Sequence, residues 1–189
     1  MLKKELRAYY KNKRLTLSQD EVFLFSKQIT ERLLDFFPFE KGMRVHVFLP
    51  IEKLKEIQTS SLIKELWHRG VDVFVPRVVG DDIVSLPYTS DTALEVNYWG
   101  IHEPVISKNA LAEPHFDVVV VPVLYVDKKG HRIGYGKGFY DRFFNIINKD
   151  AVKIGVNYFT PDENIDDADA WDVRLDYLVT PIEVVSFMG

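Results

Sequence analysis

Apolar and polar positions along the chain fall into the two periods that separate helices from strands. Residues 2–14 have high helix propensity, and Lys3, Arg7, Lys11 and Arg14 recur at three- and four-residue spacing along one face. Ser18 with Glu21 predicts a capping box opening a second helix. In that helix Val22, Phe25, Ile29 and Leu33 form the apolar stripe, and Pro38 and Gly42 end it. Met43–Leu49 reads as a strand. Thr59 or Ser60 caps a helix with apolar positions Leu62, Ile63, Leu66 and Trp67, stopped at Gly70. Val71–Val75 is the next strand, ended by Pro76. From 81 to 113 the pattern weakens to a short strand near Ile83–Leu86 and an irregular stretch, Trp99–Pro104. Val118–Val121, four consecutive valines, predicts a strand buried on both faces. A Gly-rich loop follows, then an apolar helix through Phe143, Phe144, Ile146 and Ile147, and strands at Lys153–Asn157 and Tyr177–Thr180. Strands alternating with helices around a doubly buried strand predict an α/β fold. Its sheet is open and mainly parallel, with helices on both faces. With no internal repeat, low-complexity tract or long linker, residues 1–189 are expected to form a single domain.

Composition narrows the function. The 189 residues are 47% hydrophobic and 28% charged, which excludes a disordered or fibrous chain. No cysteine is present, so disulfides, thiolate metal sites and cysteine nucleophiles are excluded. The longest apolar run, Val118–Val126, contains Pro122 and is too short to span a bilayer. Lys3 and Lys4 precede no apolar stretch, so no signal peptide is visible. The expectation is a cytoplasmic monomer or small homo-oligomer without membrane partners. A net charge of −4 argues against a nucleic-acid partner. Residues 1–14 nevertheless carry Lys3, Lys4, Arg7, Lys11, Lys13 and Arg14 against Glu5 alone. Such a segment can form a local anion site or a solvated helix face.

The informative stretch runs from Gly130 to Arg142, between the buried strand and the next helix. Open α/β sheets bind ligands there, beyond the carboxyl ends of their strands. Gly134, Gly136 and Gly138 let the backbone approach a ligand, and a helix starting near Gly138 offers its positive end to phosphate. Lys137 and Arg132 supply cations. The dinucleotide fingerprint fails because Phe139 stands at its third glycine, and the Walker A loop fails because Gly138 follows Lys137. Asp141, in the first helical turn, can serve as an N-terminal charge partner or hold Mg²⁺ beside a phosphate. A second metal carboxylate would come from the acidic run 161–176, where Asp172 and Asp176 border the strand Tyr177–Thr180. The five histidines show no metal spacing, and no serine nucleophile motif is present. His46 reads as a strand residue and Trp67 as core. Trp99 and Tyr98 are either structural or a stacking platform for a flat ligand.

These residues resemble the 5-formyltetrahydrofolate cyclo-ligase family, also called 5,10-methenyltetrahydrofolate synthetases. The family's Arg-x-Gly-x-Gly-Lys-Gly-Tyr/Phe-Tyr-Asp loop is matched from Arg132 to Asp141, and its N-terminal Lys-x-x-x-Arg by Lys3 and Arg7. Its Glu-x-x-Thr is matched by Glu56–Thr59, Gly-Ile-x-Glu-Pro by Gly100–Pro104, and Asp-x-x-x-Asp by Asp172 and Asp176. Tyr135, Phe139 and Trp171 differ from the residues common there, and Glu52–Lys55 read as extra residues. The resemblance implies a three-layer, Rossmann-like α/β/α fold. It implies ATP-dependent cyclisation of 5-formyltetrahydrofolate to 5,10-methenyltetrahydrofolate, with ADP and phosphate released through a phosphorylated formyl intermediate. By the same resemblance ATP meets Lys3, Lys4, Arg7, Arg132, Ile133, Gly134, Tyr135, Gly136, Lys137, Gly138, Phe139 and Tyr140. Folate meets Arg7, Leu49, Glu56, Trp99 and Tyr135–Phe139, thus also Gly136, Lys137 and Gly138. Lys137, Arg132 and Tyr140 carry the catalysis, and Asp141 and Asp176 hold Mg²⁺. The alternatives are a related ATP-dependent ligase on another substrate and a non-catalytic nucleotide- or folate-binding module.

Overall fold

The computed structural model describes residues 1–98, 100–105 and 114–189. Helix α1 (Lys3–Leu15) is followed by α2 (Gln19–Phe36), which opens on the expected capping box. There Ser18 Oγ accepts from the Glu21 N–H at 3.1 Å, and Glu21 Oε2 accepts from the Ser18 N–H at 2.7 Å. Strand β1 (Arg44–Val47), a 3₁₀ turn (Glu52–Leu54), α3 (Ser60–His68), β2 (Asp72–Val79) and β3 (Asp82–Pro87) come next. They are followed by β4 (Leu94–Val96), β5 (His102–Pro104), β6 (Val118–Pro122), β7 (Tyr125–Val126) and β8 (Arg132–Ile133). Helix α4 (Phe139–Ile146) and strands β9 (Val152–Val156), β10 (Tyr177–Val179) and β11 (Val184–Ser186) complete the described elements.

Seven strands form one sheet in the order β11-β10-β9-β6-β1-β2-β3. The five inner strands are parallel and the two edge strands antiparallel. Strand β6 pairs with β1 (Val45 opposite Val118) and with β9 (Val118 opposite Val152), so it has neither a free edge nor a wet face. Its side chains alternate between two cores, as strand geometry requires. Val118 and Val120 join Ile29 and Leu33 of α2 and Leu62 and Leu66 of α3. Val119 and Val121 join Phe143 and Phe144 of α4, with Ile147 just beyond it. The expected α/β architecture with helices on both faces is therefore the one observed. A third cluster packs Leu6 and Tyr10 of α1 on Leu124, Tyr125 and Ile133 around the β7–β8 hairpin, with the Tyr10 and Tyr125 rings stacked at 4.1 Å. No helix among the described residues is long and apolar enough to cross a membrane.

Two local expectations need correction. Strand β2 does not end at Pro76 but continues to Val79. Pairing with β1 reaches only Phe74, and beyond it β2 pairs with β3 alone, so one side of the strand is an edge that tolerates a residue without an N–H. The irregular stretch before Pro104 contains β5, paired with β4. Trp99 lies outside the described residues.

His46 is a strand residue, buried in β1. Its Nδ1 lies 2.8 Å from Ser85 Oγ, and its Nε2 has no hydrogen-bond partner among the described residues. Burial pushes its pKa down to about 3. The folded state thus keeps the ring neutral where the unfolded chain would protonate it. The resulting stability is full above the ordinary histidine range near 6.5 and is lost as pH falls toward 3. Urea midpoints measured from pH 7 down to pH 4 should fall more steeply for the wild type than for His46→Gln; parallel curves would contradict the assignment.

Candidate active site

Strand β6 ends at Pro122, and the chain turns through the β7–β8 hairpin before entering α4. The hairpin turn is tied by Asp127, fully buried, whose Oδ1 accepts from the N–H groups of Lys129 (2.8 Å) and His131 (2.9 Å). The loop Gly134–Gly138 then crosses the face of α1. Arg7 Nε–H donates to the Gly134 carbonyl at 3.0 Å. Gly136 has φ +86°, and a Cβ there would lie 3.2 Å from Arg7 Cζ, so both conformation and space call for glycine. Gly138, at φ +68°, is the N-cap of α4.

A groove of about 280 Å³ lies between this loop and α1, lined by Lys3, Arg7, Arg132, residues 134–138, Asp141 and Asp172 among others. Arg132 is held on three sides. Its Nη1–H donates to the Val173 carbonyl, its Nη2–H to Asp141 Oδ1 at 2.6 Å, and its guanidinium sits 4.8 Å from the centre of the Phe144 ring. Burial draws this guanidinium below its usual range, against the pull of Asp141. Lys3 Nζ donates to Asp172 Oδ2 at 2.6 Å and to Asp169 Oδ2 at 3.2 Å. Burial works against the Asp172 carboxylate, but Lys3 holds it below the usual range. Lys137 makes no hydrogen bond or ion pair among the described residues and is left to face a ligand.

Beside the groove is a cavity of about 290 Å³ with apolar walls from Phe48, Leu49, Ile51, Leu54, Val78 and Ile101. Its polar groups include Glu56, Glu103 and Lys53. Glu56, 1% exposed, accepts from the Ile51 N–H at 2.7 Å and from the Tyr135 hydroxyl at 2.6 Å. Burial lifts its carboxyl above the usual range, opposed by those two donors and by the charge of Arg14. Groove and cavity share Pro122, Tyr135, Lys137, Phe139 and Tyr140 as a common wall. Tyr140 Oη is buried without a hydrogen-bond partner among the described residues, and burial pushes this phenol up. The arrangement suits a polyanion in the groove and a flat, largely apolar molecule in the cavity, meeting at Lys137.

Most of the expected site residues come together here: Lys3, Arg7, residues 132–141, Leu49 and Glu56. Three do not. Lys4 is exposed on α1 and lines neither space. Trp99 is outside the described residues. Asp176 does not reach the groove: it sits at the amino end of β10, where its Oδ2 accepts from the Lys153 N–H at 2.7 Å. The groove instead lies beyond the carboxyl end of β6, and the acid of the run 161–176 that lines it is Asp172. Sequence reasoning missed Arg14 as a buried member of the site. The signal was its place seven residues after Arg7 on one helix face.

The fold and site define an α/β enzyme architecture with an anion groove joined to an apolar cavity. The model of the 5-formyltetrahydrofolate cyclo-ligase family matches residues 1–181, and the chain belongs to that family. It is 28% identical to a 5-formyltetrahydrofolate cyclo-ligase of Haemophilus influenzae, over 92% of this chain and 94% of that one. It is 30% identical to the mouse (Mus musculus) protein of that name, over 75% and 72%. Among solved structures, a 5,10-methenyltetrahydrofolate synthetase of Aquifex aeolicus superposes with a TM-score of 0.84 at 31% identity, covering 100% of this chain and 94% of that one.

Gly136→Ala should lose about 1–2 kcal/mol of stability, the cost of a left-handed non-glycine residue. Gly134→Ala, at a position where a Cβ would have nothing within 4 Å, should stay within about 0.5 kcal/mol of wild type in the same urea titration.

Proposed function

We propose that the protein closes 5-formyltetrahydrofolate to 5,10-methenyltetrahydrofolate at the expense of ATP. The wall shared by groove and cavity carries this reading, because it brings a glycine-rich anion loop and a cavity with apolar walls to one lysine. The triphosphate lies along residues 134–138 and the start of α4, where backbone N–H groups and the helix end favour anions. Lys3 and Arg7 lie along the same groove, and Arg132 acts through Asp141, which it holds in place. The folate ring system fills the cavity, with Glu56 accepting from its N–H donors.

In the reaction, the formyl oxygen attacks the γ-phosphorus of ATP, a P–O bond forms, and the bond to the ADP oxygen breaks. The neighbouring folate nitrogen then adds to the formyl carbon and gives up its proton to solvent, and the oxygen departs with the phosphate, leaving the methenyl bridge. An amide oxygen is a poor leaving group and its phosphate ester a good one. The chain therefore mainly supplies position and charge neutralisation. Lys137 stands where negative charge builds up on the transferring group, and Tyr140 Oη offers an unused donor beside it.

The carboxylates fit Mg²⁺. Asp141 uses Oδ1 for Arg132, and Asp172 uses Oδ2 for Lys3 and the Asp169 N–H. Each keeps a second oxygen that accepts no hydrogen bond from a described residue. Two carboxylates are what Mg²⁺ usually takes from protein when phosphate supplies the rest. The ion would neutralise phosphate charge. No group of three metal-binding side chains is present among the described residues.

The purified protein should form methenyl-folate, followed by absorbance, only when ATP and a divalent cation are both present; full turnover in excess chelator would overturn the reading. Lys137→Ala should lower turnover about 10²–10³-fold, the usual cost of a lost preorganised charge partner, with an unchanged urea midpoint.

The metal assignment is tested separately. Asp141→Asn and Asp172→Asn should each raise the Mg²⁺ concentration for half-maximal rate, whereas Asp176→Asn should leave it unchanged. An effect confined to Asp176→Asn would reverse the assignment.

A further inference from the structure

Arg14 is the one charged side chain of α1 that is buried, at 3% exposure. Its Nη2–H donates to the Tyr135 hydroxyl, and its guanidinium stands 5.6 Å from the centre of the Tyr135 ring. Its Nε–H has no hydrogen-bond partner among the described residues. The same Tyr135 hydroxyl gives its own proton to Glu56 Oε1. A guanidinium and a carboxylate are thus buried together with one phenol between them. Desolvating both charges is costly, and breaking such a set by removing one member leaves the other uncompensated.

We propose that Arg14 is a positioning residue for the substrate cavity: from the buried face of α1 it acts through the Tyr135 hydroxyl to aim the Glu56 carboxylate, as an anion, at the N–H edge of a flat heterocycle. This rests on the reading of the cavity as the folate site. A phenol has one proton. When Tyr135 spends it on Glu56, its oxygen must accept from elsewhere, and Arg14 is the donor in place. Without Arg14 the hydroxyl is free to turn away, and the carboxylate loses its buried positive charge.

Other charged groups surround Glu56 but make no hydrogen bond to it. Lys53, Lys137 and, from β5, Glu103 line the same cavity. The Tyr140 and Tyr158 phenols feel its charge. Burial favours the protonated acid, so the anion depends on its donors and on Arg14. A protonated Glu56 could not accept at both oxygens and would bind the donor edge poorly. Loss of Arg14 should therefore appear as a folate affinity that recovers only at higher pH.

The test combines a ligand-free measurement with kinetics. In protein carrying ¹³C-carboxyl glutamate, the Glu56 resonance is identified by its absence from Glu56→Gln and titrated in wild type, Arg14→Met, Arg14→Lys and Tyr135→Phe. Arg14→Met should bind the Glu56 proton about tenfold more tightly, the equivalent of about one pH unit, and Arg14→Lys should restore most of the wild-type midpoint. In turnover, Arg14→Met should raise KM for 5-formyltetrahydrofolate about tenfold near the lower end of the pH range. That rise should shrink as pH increases, with KM for ATP and kcat unchanged within about twofold. The double variant Arg14→Met/Tyr135→Phe should lose no more than the larger single loss, as expected of residues acting as one unit.

An unmoved Glu56 titration, or a folate KM that rises equally at every pH, would overturn the proposal. If Arg14→Met does not fold, Tyr135→Phe decides alone, and an unshifted Glu56 in that variant overturns it. If wild type fails to convert or bind the formyl-folate, the functional reading falls, while the ligand-free titration still decides whether Arg14 governs Glu56.

Discussion

A strand of four valines can be buried on both faces only if something apolar covers each face. That constraint organises the molecule around β6. It places α2 and α3 on one side and α4 on the other, and it gives β6 a strand neighbour on each edge. Nothing polar can be accommodated along its length. Chemistry is displaced to the point where the strand stops, beyond Pro122, and there the hairpin and the glycine loop begin. The position of the groove is a consequence of how dry the centre of the sheet is.

At that edge the recurring problem is charge taken out of water. Arg132 answers it with Asp141 and a carbonyl, Asp127 with backbone N–H groups, Lys3 with Asp172, and Glu56 with Tyr135 and Ile51. Each pairing fixes a side chain whose freedom would otherwise blur the site. Lys137 differs, because it contacts no described partner and sits where groove and cavity meet. The scaffold thus restrains these paired groups and leaves Lys137 facing the space where a ligand would sit.

Much of this was legible in the sequence, and the gaps have physical reasons. The capping box, the apolar stripes and the valine run follow from local rules, and the structure has them where those rules put them. The β7–β8 hairpin and β11 were invisible because strands of two or three residues carry no period to detect. Pro76 misled because its tolerance depends on β1 ending early, which is a fact about the partner strand. Asp172 and Asp176 both precede the same strand and look alike in sequence. Only the path of the chain, which passes the groove at Asp172 and reaches the far edge of the sheet at Asp176, separates them. Arg14 was legible as part of a basic face, but its burial depends on Tyr135, 121 residues away.

That separation has a consequence for how the molecule comes into being. Helix α1 is made before its partners at Gly134, Tyr135 and Asp172, which follow 121 to 169 residues later. On a ribosome the basic helix must wait while the strands between are produced, and its charges stay in water until the hairpin arrives. Parallel pairing and contacts this distant in sequence are slow to form. The contacts that join α1 to the groove thus close some of the longest loops in the chain.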